Sequence, residues 1–131
     1  MDPAPRHQAR ERALTLLYEA DLKGSRPVDI LEELAVTPDA YTSALVRSVE
    51  ARSREIDDLV DGAAIGWDLD RMAVVDRNVL RLAVAELLDF PDVPTAVILN
   101  EAVELASAYS TDDSGRFVNG ILATLAVRLR E

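Results

Sequence analysis

The chain has 131 residues, enough for one domain that buries its own core but too few for two independent catalytic domains. Hydrophobic residues make up 49% and charged residues 29%, with 5 glycines and 6 prolines, a composition that excludes a disordered chain; the absence of cysteine excludes disulfides and thiolate metal sites and fits a reducing, cytoplasmic setting. The net charge of −10 repels nucleic acid on average, so any RNA site must be local, and no stretch approaches the ~18 to 20 apolar residues of a membrane span or begins like a signal peptide.

Helical periodicity dominates from the start. Ala9, Ala13, Leu16, Leu17 and Ala20 recur at three- and four-residue spacing and predict a first helix from Arg6 to Lys23, stopped by Gly24. Pro27 suits the first turn of a short second helix carrying Val28, Ile30, Leu31 and Leu34. Thr37 as cap and Pro38 as first residue open a third, carried by Tyr41, Leu45, Val46 and Val49. The pattern resumes at Ile56, Leu59, Val60 and Ala63, so residues 38–65 form either one kinked helix or two. Gly62, Gly66 and Trp67 read as a joint, and Asp68-Leu69-Asp70 can cap the next helix, dividing the chain into helical subdomains over about 6–66 and 67–131.

The run from Met72 to Leu88 is apolar around much of its circumference, which predicts a central helix with neighbours on several sides. Pro91 and Pro94 break it, and a helix from about Thr95 to Tyr109 comes after them. Ser110 to Ser114 is a loop in which Asp112 or Asp113 can cap the last helix, defined by Phe117, Val118, Ile121, Leu122, Leu125 and Leu129. In that helix Phe117 points to the core and Arg116 to solvent, and Gly120 is expected to mark a close helix crossing.

The inventory for catalysis is thin. With no cysteine and one histidine, nucleophile, acid–base and metal constellations nearly vanish, and neither a phosphate-cradling glycine loop nor a serine elbow is present. Asp57 and Asp61, four apart, read as a solvated face rather than a carboxylate metal cluster. No enzyme activity, cofactor or metal is expected.

The leading end is more informative, because Arg6, His7, Arg10 and Arg12 face only Asp2 and Glu11 there. On a helical wheel Arg6 and Arg10 fall about 20° either side of Leu17, in line with the buried stripe. Burying two arginines without partners costs several kcal/mol, so this end of the helix is expected to project past the core as a cationic ridge; the alternative is that both pair with carboxylates of a neighbouring helix.

The ordered set Arg6 to Leu14 with Leu17-Tyr18, then Val75-Asp76-Arg77-Asn78-Val79-Leu80-Arg81 with Glu86-Leu87, resembles the NusB family of bacterial transcription antitermination factors. Asp92-Val93-Pro94, Asn100 to Ala106 and Asp113-Ser114-Gly115-Arg116-Phe117-Val118-Asn119-Gly120 match that family's closing signature in order and spacing. The resemblance implies an all-α fold of about six to seven helices in two small orthogonal bundles. It also implies a non-catalytic adaptor that binds single-stranded boxA RNA together with NusE, a small-subunit ribosomal protein, at the transcription elongation complex and supports ribosomal RNA synthesis. Matched by position, the RNA-binding residues are Arg6, His7, Arg10 and Tyr18 on the first helix and Asp113, Arg116 and Phe117 at the start of the last; the NusE-facing residues are Asp76, with Asp70 and Glu86 beside it. Where many relatives carry an unbroken arginine cluster, this chain has His7 and Gln8, which implies weak RNA binding without NusE. Some relatives pair as homodimers through the arginine-bearing surface. The rival readings are a helical protein-interaction module that never touches RNA, favoured by the net charge, and a stand-alone relative of the RNA-binding part of ribosomal RNA methyltransferases, which the chain length opposes.

Overall fold

The computed structural model describes the backbone of residues 3–130 and the side chains of residues 6–130; Asp2, read above as an acid at the basic tip, lies outside them. Among these residues there are seven α-helices and no strand: α1 (Pro3–Lys23), α2 (Pro27–Glu32), α3 (Ala40–Ala51), α4 (Ser53–Ala63), α5 (Val74–Asp89), α6 (Thr95–Tyr109) and α7 (Asp112–Arg130). None is long and apolar enough to cross a membrane.

α1 stops where the sequence placed it. Gly24 takes a left-handed φ of +64°, and the amides of Ser25 and Gly24 fold back onto the carbonyls of Ala20 and Asp21, the paired bonds by which a glycine closes a helix. The cap of α3 lies two residues beyond its predicted place. Asp39, not Thr37, is the N-cap, its carboxylate accepting from the Thr42 amide at 3.2 Å, and Pro38 stays outside the helix. A carboxylate here also meets the positive end of the helix dipole, which a threonine does not. Residues 38–65 resolve into two helices parted at Arg52 (φ −112°, ψ 21°). The break is braced: Arg52 donates to Asp89 and to Glu55, both at 2.8 Å, so the turn is tied to the end of α5.

α5 is the central helix, in contact with α1, α3, α4, α6 and α7, and ten of its residues are buried. It starts two residues later than the periodicity predicts, because residues 69–71 form a single 3-10 turn whose Leu69 amide is held by the Asp61 carboxylate at 3.1 Å. Asp68 makes no side-chain cap there. The far end of α5 is closed by a residue from the other end of the chain: Arg130 donates to the carbonyls of Glu86, Leu87, Phe90 and Val93 at 2.7–3.1 Å. Cationic donors at the negative end of a helix satisfy carbonyls that have no partner within it.

α7 is capped by Thr111, whose Oγ1 accepts from the Ser114 amide at 3.0 Å, leaving Asp112 and Asp113 in the first turn rather than at the cap. The close crossing of α6 and α7 is at Gly115, where an added Cβ would lie 2.5 Å from Ser107 Oγ and 3.3 Å from Val103 Cγ1; Gly120, the expected crossing, faces open space. Gly120→Ala should therefore raise stability by about 1 kcal/mol through helix propensity alone. Gly115→Ala should lower it by about 1–3 kcal/mol through overpacking, and urea denaturation of the two variants checks the contrast.

A second brace joins α1 to α5. Asp21 accepts from Arg77 at 2.7 and 2.8 Å, from Asn78 at 2.9 Å and from Arg81 at 3.1 Å. The Arg77 hydrogen bonds hold its carboxyl below the usual carboxylate range, against the opposing pull of burial. A lowered folded-state value stabilises the fold fully above the unfolded value, and that stabilisation is lost as pH falls through the two. Stability should thus decline less steeply in Asp21→Asn than in the wild type between about pH 5 and about pH 2, measured by urea titrations across that range.

Candidate nucleic-acid interface

The wheel position of Arg10 places it in the apolar stripe, and the structure keeps it there. Arg10 is only 2% exposed, and both of its forks are filled: Nε and Nη2 donate to the two oxygens of Glu86 at 2.7 and 2.9 Å, and Nη1 donates to Glu101 at 3.0 Å. The expectation that this end of α1 carries Arg10 outward is therefore corrected in favour of the alternative of pairing with neighbouring helices. The physical reason is that α5 and α6 supply two carboxylates at the spot where the stripe needs compensation, which makes burial of the guanidinium tolerable. Glu86 is corrected for the same reason: at 1% exposure, with Tyr41 Oη also donating to it at 2.7 Å, it cannot sit on a partner-facing surface. Burial and then the Glu86 charge push the Tyr41 phenol far above its ordinary value, so it remains a donor at any working pH.

Arg6, one turn earlier, is half-buried. Its guanidinium carbon lies 5.1 Å from the centroid of the Tyr41 ring, and its buried Nε has no hydrogen-bond partner among the described residues. His7 donates through Nδ1 to Glu101 Oε2 at 2.6 Å, and its Nε2 is 3.8 Å from Glu11. The Glu101 hydrogen bond, opposed by burial and helped by the charges of Glu101, Glu11 and Glu104, raises its pKa. Tyr18 is 39% exposed on the same helix. Glu11 in turn accepts from Tyr109 Oη at 2.9 Å, so a line of side-chain contacts runs from the tip of α1 to the end of α6, just before α7 begins.

At the start of α7, Asp113 and Arg116 are both exposed and pair with each other. Phe117 is half-buried and packs edge-on against Trp67, ring centroids 6.1 Å apart. These two rings, with Arg71, Asp76, Asp113 and Ser114, line an open pocket of about 310 Å³. Asp76 is 8% exposed; its Oδ2 accepts from Ser114 Oγ at 3.0 Å and its Oδ1 has no partner among the described residues. Asp70 stands exposed in the 3-10 turn nearby in sequence. The pocket thus gathers residues read from the sequence as two separate surfaces. Trp67 and Arg71 were missed as site residues; the tryptophan was legible only as part of a joint, and its 53% exposure is the signal that sets it apart.

A sequence model of the NusB family matches residues 7–127. The transcription antitermination protein NusB of Saccharopolyspora erythraea is 50% identical over 127 residues, covering 92% of this chain and 86% of that protein. This chain belongs to the NusB family. With membership come the all-helical fold and the antitermination role for which its relatives are named. NusB of Acidothermus cellulolyticus is 48% identical over 92% of this chain and 86% of its own length. Among solved structures, NusB of T. maritima superimposes with a TM-score of 0.88 at 35% identity, covering 96% of this chain and 93% of that one. A structure of antitermination factors NusB and NusE with double-stranded RNA superimposes with a TM-score of 0.81 at 30% identity, covering 95% of this chain and 98% of the matched one.

In this NusB-family chain the Arg10–Glu86 pair is testable as a structural element separate from binding. Arg10→Met alone, which leaves Glu86 buried beside Tyr41 without its cation, should cost about 3–5 kcal/mol. The double variant Arg10→Met with Glu86→Leu should recover most of that loss, with equilibrium urea denaturation as the measurement.

Proposed function

We propose that this chain is a non-catalytic adaptor that holds boxA-type single-stranded RNA and NusE at the same time, in the cytoplasm, at the transcription elongation complex that makes ribosomal RNA. The observation that carries the reading is the open pocket beside the start of α7, where the rings of Phe117 and Trp67 stand with the cation of Arg71, and Arg116 is exposed on the adjoining face of α7. Aromatic faces take unstacked bases, and a guanidinium nearby takes phosphate. The neighbour solved with NusE and double-stranded RNA supports NusE and an RNA as partners, and the choice of a single strand rests on the exposed rings. Arg6 and His7 extend the RNA face along α1, with Tyr18 about three turns further along that helix; Asp76 and Asp70 remain the partner-facing candidates.

Affinity in this scheme arises from two weak surfaces on two proteins that contact one RNA. Docking the proteins turns the second contact into an intramolecular event, and binding tightens with no catalytic step. Burial of Arg10 sharpens the need for the partner, since it removes one cation from a chain whose net charge is already −10. That same burial favours the rival reading, a protein-docking module that never touches RNA.

Titration of labelled boxA RNA at several salt concentrations, with and without NusE, separates the two. The chain alone should bind weakly, with a log-log salt slope of few contacts at ~0.7 each, and the pair should bind more tightly than NusE alone. Tyr18→Ala and Phe117→Ala should each weaken the pair's binding by about 1–3 kcal/mol. Equal affinity for NusE with and without this chain would leave only the docking module, and a preference for duplex over single-stranded boxA would overturn the choice of RNA.

A further inference from the structure

We propose that His7, Glu101 and Glu104 form a binding site for a divalent transition-metal ion of the Zn2+ class. His7 comes from α1, and the two glutamates stand three residues apart on one face of α6. One imidazole nitrogen and one oxygen from each carboxylate lie within 4.8 Å of one another. Metal–ligand bonds of ~2.0–2.2 Å in tetrahedral geometry need ligand atoms roughly 3.3 Å apart. The 2.6 Å His7–Glu101 contact opens to that spacing by a small ring rotation, and exposed Glu104 is free to swing inward.

The carboxylate that matters most is already oriented. Glu101 is 14% exposed, and its Oε1 is held at 3.0 Å by Arg10, which is itself locked by Glu86, so Oε2 is the oxygen turned to His7. An outer partner of this kind fixes the orientation of the ligating carboxylate. Glu11, 3.8 Å from the other ring nitrogen, adds to the negative charge. One imidazole with two carboxylates and a solvent-facing side gives three protein ligands with a coordination position left for water, an arrangement that suits Zn2+ or Co2+; Mg2+ prefers oxygen ligands throughout. A bound ion would place two positive charges on the turn of α1 that also carries Arg6, where the three glutamates otherwise oppose a polyanion.

The test is a Co2+ titration of the untagged full chain, followed through the visible d–d absorption of the bound ion. Wild type should saturate at one equivalent, lose the signal to Zn2+ and keep it in excess Mg2+. His7→Gln and Glu104→Gln, both outside the core, should keep the wild-type circular dichroism spectrum and bind at least about tenfold more weakly, while Glu32→Gln on α2 should bind as wild type does. Absence of a saturable signal in the wild type, or an unchanged one in His7→Gln, would overturn the site.

Discussion

Arg10 and Glu86 are the two charges this fold cannot leave alone. Each is all but sealed from solvent, and each is compensated chiefly by the other across the contact of α1 with α5. A buried pair of this kind contributes little against an apolar pair of equal volume, but breaking it strands a charge. It therefore acts on geometry. The bidentate fork admits one rotation of α1 about its axis and one register against α5; the third bond to Glu101 brings α6 to the same point, and Tyr41 brings α3. Four helices are positioned by one guanidinium and its acceptors.

The outer surface is set by that choice. With Arg10 inward, Tyr41 lies under Arg6, its ring tilted against Phe90 at 5.3 Å between centroids, and Glu101 turns one oxygen to His7. Elsewhere too cations are spent on contacts within the chain: Arg77 and Arg81 on Asp21 and Asp57, Arg52 on Asp89, Arg130 on the end of α5. What is left for a polyanion is small and scattered, and this is the structural counterpart of the strongly negative net charge.

Periodicity made the helices legible. The apolar spacing predicted helix over each long segment, leaving open only whether residues 38–65 hold one helix or two, and the Gly24 stop and the central place of α5 come from local chemistry that a sequence displays. Departures occur wherever the answer depended on a residue distant in the chain. Spacing put Arg10 in the buried stripe and left open whether it had an acceptor, because its acceptors are 76 and 91 residues away. Gly120 and Gly115 look alike in a helical pattern, and only the approach of Ser107 distinguishes them. The caps moved for a more local reason: Asp39 and Thr111 each compete with a neighbouring good cap, and the winner is set by where the incoming loop ends. His7, Glu101 and Glu104 carry no motif at all, since their meeting is a product of the α1–α6 contact.

The pocket at the start of α7 shows the same dependence on distant contacts. Ser114 Oγ is bonded to Asp76 and to Ser110, and Thr111 caps the helix through the Ser114 amide. The first turn of α7 is thereby tied to the first turn of α5, and the rings of Phe117 and Trp67 close over the junction. Asp76 and Phe117, read from the sequence as parts of two different surfaces, consequently line a single pocket. The starts of α5 and α7, and with them Asp76 and Phe117, are held in one relation by side-chain bonds that run across the bundle rather than along the chain.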